Sequence, residues 1–173
     1  MNSWMKAGQP ATAAPEPKRD EPIRFCSRCG RFAGNRGWRP EGVWHDRVCE
    51  TCGMGVLLSC DPTALKAPRA SFLVVTGELR VSAVSEAAER LFGGKHSMVG
   101  TSLLEWVSSP LGEGELARRV AWSAWAFRPP AGLPLVARRR PARDLGTLSA
   151  RVATCGPPRA ALVVIDRPHL PQR

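Results

Sequence analysis

The 173-residue chain contains no tyrosine, four lysines and three histidines. No apolar run approaches the eighteen or so residues that a membrane-spanning helix needs. The first 22 residues lack the apolar core of a secretory signal. Together these absences set the expectation of a cytoplasmic protein without a membrane partner. A P-loop, a nucleophile elbow and a metalloprotease helix are missing too. Gly112-x-Gly114-x-x-Ala117 imitates a dinucleotide fingerprint, but Pro110 and Leu111 stand where a strand should precede it. The expectation is a protein that is not an enzyme.

The shortage of lysine shapes the charge. A formal net charge of +10 rests on 21 arginines, scattered through a chain rich in alanine, glycine and proline. Scattered guanidinium groups are read as solvated rather than as a face that collects phosphates. One run, Arg138-Arg139-Arg140 with Arg143 close behind, is the candidate for phosphate contacts.

Cysteine, by contrast, is concentrated. Cys26-Ser-Arg-Cys29-Gly30 and Cys49-Glu-Thr-Cys52-Gly53 are two Cys-x-x-Cys pairs with nineteen residues between them. A two-residue gap lets both sulfurs of a pair face one point about 2.3 Å away, and the glycine after each pair supplies the positive φ that closes the turn. Two such knuckles complete a tetrahedron of thiolates, the pattern of a structural zinc with no position left for water or substrate. Cys26, Cys29, Cys49 and Cys52 are therefore the expected ligands of Zn2+. A dithiol redox catalyst would instead show one such motif at a helix start in a βαβ pattern. His45 is read as a surface side chain or a neighbour of the ligands. In a reducing compartment cysteines favour metal over disulfides, which leaves Cys60 and Cys155 as free thiols, with their redox activity open.

The organisation follows composition and period. Residues 1–22, with four prolines and no periodicity, read as a disordered tail, and 23–60 as the zinc ribbon. Residues 61–69, bounded by prolines, read as a linker. From Ser71 a β-type run, a turn at Thr76-Gly77-Glu78 and an alternating run through Ala83 form a hairpin. Ser85 caps a short helix that Gly93-Gly94 stops. Residues 99–107 read as another helical piece. A longer helix opens at Glu113, with Leu116, Val120, Ala124 and Phe127 on one stripe. Trp122 and Trp125 fall off that stripe and mark an expected interface with the ribbon or a second subunit; the alternative is that they cover a domain edge. Strands follow at 133–139, 147–154 and 160–165, the last apolar throughout as in the middle of a sheet.

Two resemblances rest on these residues. Cys-x-x-Cys-x-Arg, Gly37-Trp38-Arg39-Pro40 and the second Cys-x-x-Cys resemble a short cysteine segment that accompanies PAS domains in bacterial signalling proteins, with a shorter stretch between the knuckles. Residues 70–168 resemble a PAS domain in element order. The best local pieces are 79–93, which looks like the PAS strand-to-helix segment, and 99–105, similar to the following turn. Ser85 stands where many members have asparagine.

The resemblance implies an α+β protein: a small zinc ribbon followed by a five-stranded antiparallel sheet in order 2-1-5-4-3, helices on one face. It also implies a sensor or interaction module that binds a small molecule between helices and sheet, or dimerises, and relays the result to an effector. The Asn-Cys-Arg-Phe setting of a light-sensing flavin site is missing, and 113–127 holds no histidine for haem, so neither group is expected; His96 reads as solvated. The pocket itself cannot be assigned from sequence. No kinase phosphoacceptor box, ATP-binding segment or receiver domain is visible. The expected function is a non-catalytic intracellular regulatory protein that works by binding, with a protein partner; the alternative is a zinc-ribbon transcriptional regulator that binds nucleic acid.

Overall fold

The chain is described by a computed structural model that covers residues 21–34, 47–94, 98–139 and 141–166. Trp38, His45, His96 and Arg140 therefore lie outside the described residues, as do 1–20 of the expected N-terminal tail, the expected C-terminal tail 169–173, and Gly37 to Pro40.

The hairpin expected after Ser71 is β4 (Ser71–Val75) and β5 (Val81–Val84), paired antiparallel with a register shift between Val74 and Val75. Ser85 then caps α1 (Glu86–Phe92) as its position suggested: Oγ accepts from Ala88 N at 3.2 Å. The same oxygen accepts from Phe72 N at 2.9 Å and donates to Ala70 O at 3.0 Å. One buried hydroxyl thus ties the helix start to β4, which a cap seen from sequence does not reveal. Gly93 ends α1 in a left-handed conformation, its N–H donating to Glu89 O.

The helical piece expected over 99–107 shrinks to a 3-10 turn, Leu103–Glu105. Ser102 and Glu105 cap each other reciprocally there, and Val107 leaves the turn at once as strand β6 (Val107–Ser108). The long helix α2 (Glu113–Trp125) buries Leu116, Val120 and Ala124 as predicted. Phe127 does not share that stripe. Ala126 already has extended backbone, and Arg128 before Pro129 is biased away from helical backbone; Phe127 is left 86% exposed.

The closing strands are β7 (Ala131–Ala137), β8 (Thr147–Gly156) and β9 (Ala160–Asp166). Across the sheet β5, β4, β9, β8 and β7 are neighbours in that order, all antiparallel. A sixth, two-residue strand, β6, pairs with the outer edge of β7; with the other five numbered within 70–168, the order is 2-1-5-4-3, as expected.

The N-terminal part extends the same sheet. Strand β1 (Ile23–Cys26) pairs with β2 (Phe32–Ala33) and with β3 (Leu57–Cys60). β3 in turn pairs with the end of β8, through Ser59↔Gly156 and Cys60↔Cys155. Most of β8 partners β7 on that edge and its last two residues partner β3, so β7 and β3 follow one another along it.

This arrangement explains the uniformly apolar β9. Ala161, Val163 and Ile165 face the core under α1 and α2, where Leu73, Leu91, Met98, Leu103 and Leu116 also pack. Ala160, Leu162 and Val164 face a second core with Phe25, Leu58, Leu65 and Phe72. Both faces of the strand are covered, so period-2 alternation vanishes.

The stretch expected to be a linker belongs to that second core. Ala64 and Leu65 are 0% and 1% exposed, and Phe25 meets Phe72 edge to face with ring centroids 5.3 Å apart. Ribbon and sheet are packed together rather than joined by a free tether, because the outer face of β4 and β9 is too apolar to leave in water.

Candidate metal centre

Each knuckle is built by its own backbone. Gly30 N donates to Cys26 O at 3.1 Å and Gly53 N to Cys49 O at 2.8 Å, and both glycines have φ of +66°. Each knuckle is also closed from its first cysteine, over five residues in one and six in the other: Cys26 N donates to Arg31 O, and Cys49 N to Gly55 O. Ser27 N and Val56 O close at 2.9 Å, with Val56 N donating to Ser27 Oγ at 3.1 Å, which locks the knuckles side by side.

The four sulfurs of Cys26, Cys29, Cys49 and Cys52 all lie within 4.8 Å of one another. Cys26 and Cys52 Sγ are 3.6 Å apart, and Cys29 and Cys49 Sγ 3.9 Å. A tetrahedral ion with metal–sulfur bonds near 2.3 Å would set its sulfurs about 3.8 Å apart. The donor set fits such an ion. Cys26 and Cys49 are buried, Cys29 and Cys52 half-buried. Leu57 and Ala33 close the apolar wall behind them.

The electrostatics separate the sulfurs. Burial pushes the Cys26 thiol far up, against N–H donors from Arg28 and Cys29 at 3.4 Å each. Burial also raises Cys29. For Cys52 burial pulls upward as well, but the backbone donors of Met54 and Gly55 and the neighbouring thiols of Cys26 and Cys49 outweigh it, bringing the group down to about 7. Backbone N–H groups aimed at sulfur favour the thiolate that a metal requires. Bound there, a metal ion would supply structure, since four protein sulfurs close its coordination shell.

Gly55 is a site residue that sequence reasoning missed. A Cβ on it would stand 2.1 Å from Cys26 Sγ and 3.0 Å from Arg28 Cβ. No local signal in the sequence could have found it, because the atoms it must clear belong to the first knuckle.

The centre is anchored to the remainder of the molecule. Arg69 N donates to Gly30 O at 3.0 Å, and Glu86 N, at the start of α1, donates to Arg28 O at 2.9 Å. From the second knuckle side, Arg47 donates to Pro157 O in the β8–β9 turn.

The other predicted site residues are dispersed. Trp122 and Trp125 are 50% and 64% exposed. Arg118 and Arg128 lie over the Trp122 ring, at 5.6 and 4.6 Å from its centroid, and the Trp125 indole lies against Gly77 between β4 and β5. The ribbon contact expected for them is not among these. Arg138 is paired with Glu113, Arg139 stacks on Trp106 at 4.4 Å, and Arg143 lies exposed in the 3-10 turn Ala142–Leu145. Between helices and sheet lie the buried side chains of the main core. A cleft of about 680 Å3 opens where β3, the segment after α2 and the β8–β9 turn meet.

The site and sheet define a class by architecture: a four-cysteine cluster fastened to an antiparallel sheet with helices on one face. No protein-family model matches the sequence, and no curated protein matches it. Among solved structures, the chain is similar to the PAS domain of an HTR-like protein from Haloarcula marismortui. The two are 16% identical with a TM-score of 0.42, over 56% of this chain and 79% of that one. No helix among the described residues is long and apolar enough to cross a membrane.

Proposed function

We propose that this chain is a zinc-stabilised PAS sensor or protein-interaction module of a cytoplasmic signalling or regulatory protein, working by binding and not by catalysis. The observation that carries the reading is the four-sulfur cluster joined by hydrogen bonds both to α1 and to the segment entering β4. Such an ion holds the N-terminal strands against the sensor sheet. The exposed Trp122 and Trp125, flanked by arginines, are the surface assigned to a protein partner or a second copy, since tryptophan and arginine dominate binding hot spots.

Native mass spectrometry of the full chain tests this. One zinc ion per chain is expected, lost in Cys26→Ser and in Cys49→Ser. A folded, zinc-free wild-type protein would overturn the metal role.

The nucleic-acid reading is weaker. Arg138 and Arg139 are engaged by Glu113 and Trp106 rather than presented as one free face, and binding to generic DNA or RNA that falls steeply with salt would revive it.

A further inference from the structure

The second pair of the β3–β8 ladder sets two cysteines, Cys60 and Cys155, opposite each other. Residues opposed in an antiparallel ladder have Cα atoms about 4.5–5.5 Å apart, and disulfides span Cα separations of about 4.4–6.8 Å. A bond between the two therefore needs side-chain rotation and little backbone movement. Both cysteines are unbridged, 4% and 3% exposed, and outside the metal cluster. Both also line the 680 Å3 cleft, beside Ser59, Asp61 and Thr154, which gives a small oxidant a route to the sulfurs.

We propose that Cys60 and Cys155 are a dithiol modification site: a peroxide or a small disulfide oxidises them to a cross-strand disulfide that fastens the cysteine-rich segment to the sheet. With hydrogen peroxide, one sulfur takes an oxygen; the S–O bond forms, the O–O bond breaks, and the thiol proton leaves with the second oxygen as water. The opposite thiol attacks that sulfur; the S–S bond forms, the S–O bond breaks, and a second water leaves with the remaining proton. The two thiols lose two electrons and the peroxide gains them. A small disulfide reacts by two exchanges and departs as two thiols.

Burial holds the pair protonated. It raises Cys60, helped by Cys155 and Asp61, and pushes Cys155 up to about 12. The reaction is accordingly slow, because the thiolate is the attacking species, and the site answers sustained oxidant rather than a brief pulse. None of this rests on the metal reading, since neither cysteine belongs to the cluster.

The test treats the full chain with hydrogen peroxide, or in parallel with oxidised glutathione, alkylates remaining thiols, digests without reductant and maps linked peptides by mass. Expected is one pair joined through Cys60 and Cys155, lighter by two hydrogens and released by dithiothreitol. Amide exchange in 57–60 should slow at least threefold in the oxidised protein. Cys60→Ser and Cys155→Ser should each lose both signals. Linkages confined to Cys26, Cys29, Cys49 and Cys52, or Cys60 and Cys155 recovered as separate alkylated peptides after prolonged oxidant, would overturn the proposal. The wild-type peptide map decides it, whether or not the variants fold.

Discussion

At Gly55 the polypeptide passes so close to Cys26 that a methyl group has no room: its Cβ would lie 2.1 Å from the sulfur, with Arg28 backbone and Cβ on the other side. Gly55→Ala should therefore reduce bound zinc from one ion per chain to a minor fraction, read by elemental analysis of the purified variant. Cys26, Cys29, Cys49 and Cys52 were legible in the sequence because a two-residue gap is a geometric signature of its own. Ser85 was legible for a similar reason, since a cap is a local device. Gly55 was not. Its constraint comes from a sulfur 29 positions earlier in the chain, and nothing in its immediate neighbours encodes that approach.

Among elements, the segment 61–69 behaves least as its composition suggests. Prolines mark it as a tether, yet Leu65 is fully enclosed beneath β4 and β9. Leu65→Ala should cost about 2–5 kcal/mol, as buried leucine truncations do, measured by urea unfolding; a loss near zero would mean the segment is a spacer after all. Prolines report where a backbone cannot be regular, and they are silent on what the side chains between them cover. The helices were more transparent, because a 3.6-residue stripe is written directly into Leu116, Val120 and Ala124.

Helix α2 also carries a pH signature. Hydrogen bonds from Arg119 and then Arg118 hold the Glu115 carboxyl below its ordinary value. A depressed carboxylate contributes stability that is present above the unfolded pKa of about 4.3 and is lost as pH falls through the folded value. Glu115→Gln should lower Tm slightly at pH 7, and the two Tm profiles should converge as pH falls below about 4 and the carboxylate of the wild type is protonated. Because the pair is at the surface, the difference should shrink in high salt.

For the molecule as a whole, β4, β5, β7, β8 and β9 announce themselves by period or by turn residues, but their order 2-1-5-4-3 could be anticipated only from the PAS resemblance, and the two-residue β6 sits at the edge of a stretch read as helical. Where the N-terminal strands attach could not be anticipated. A two-pair ladder between β3 and β8 is set by the shared second core, with Phe25 on Phe72 and with Leu58 and Leu162 both buried in it. Such distant complementarity leaves no periodic trace. Zinc removal is consequently expected to reach beyond its own loops. A strong chelator should lower Tm and raise amide exchange first in 23–34 and 47–60, and then in β8 near Gly156, while β9 stays protected. Unchanged exchange in 23–60 would mean the cysteines do not hold those strands.

The Glu86 to Arg28 hydrogen bond reaches further still. Seven residues make α1 too brief to persist by itself in water, and its opening amide leans on a carbonyl that belongs to the first thiol loop. Whatever loosens that loop withdraws a foothold from the helix roofing the sheet, so an event at sulfur would be felt in the main core beneath α1 with no moving hinge between them.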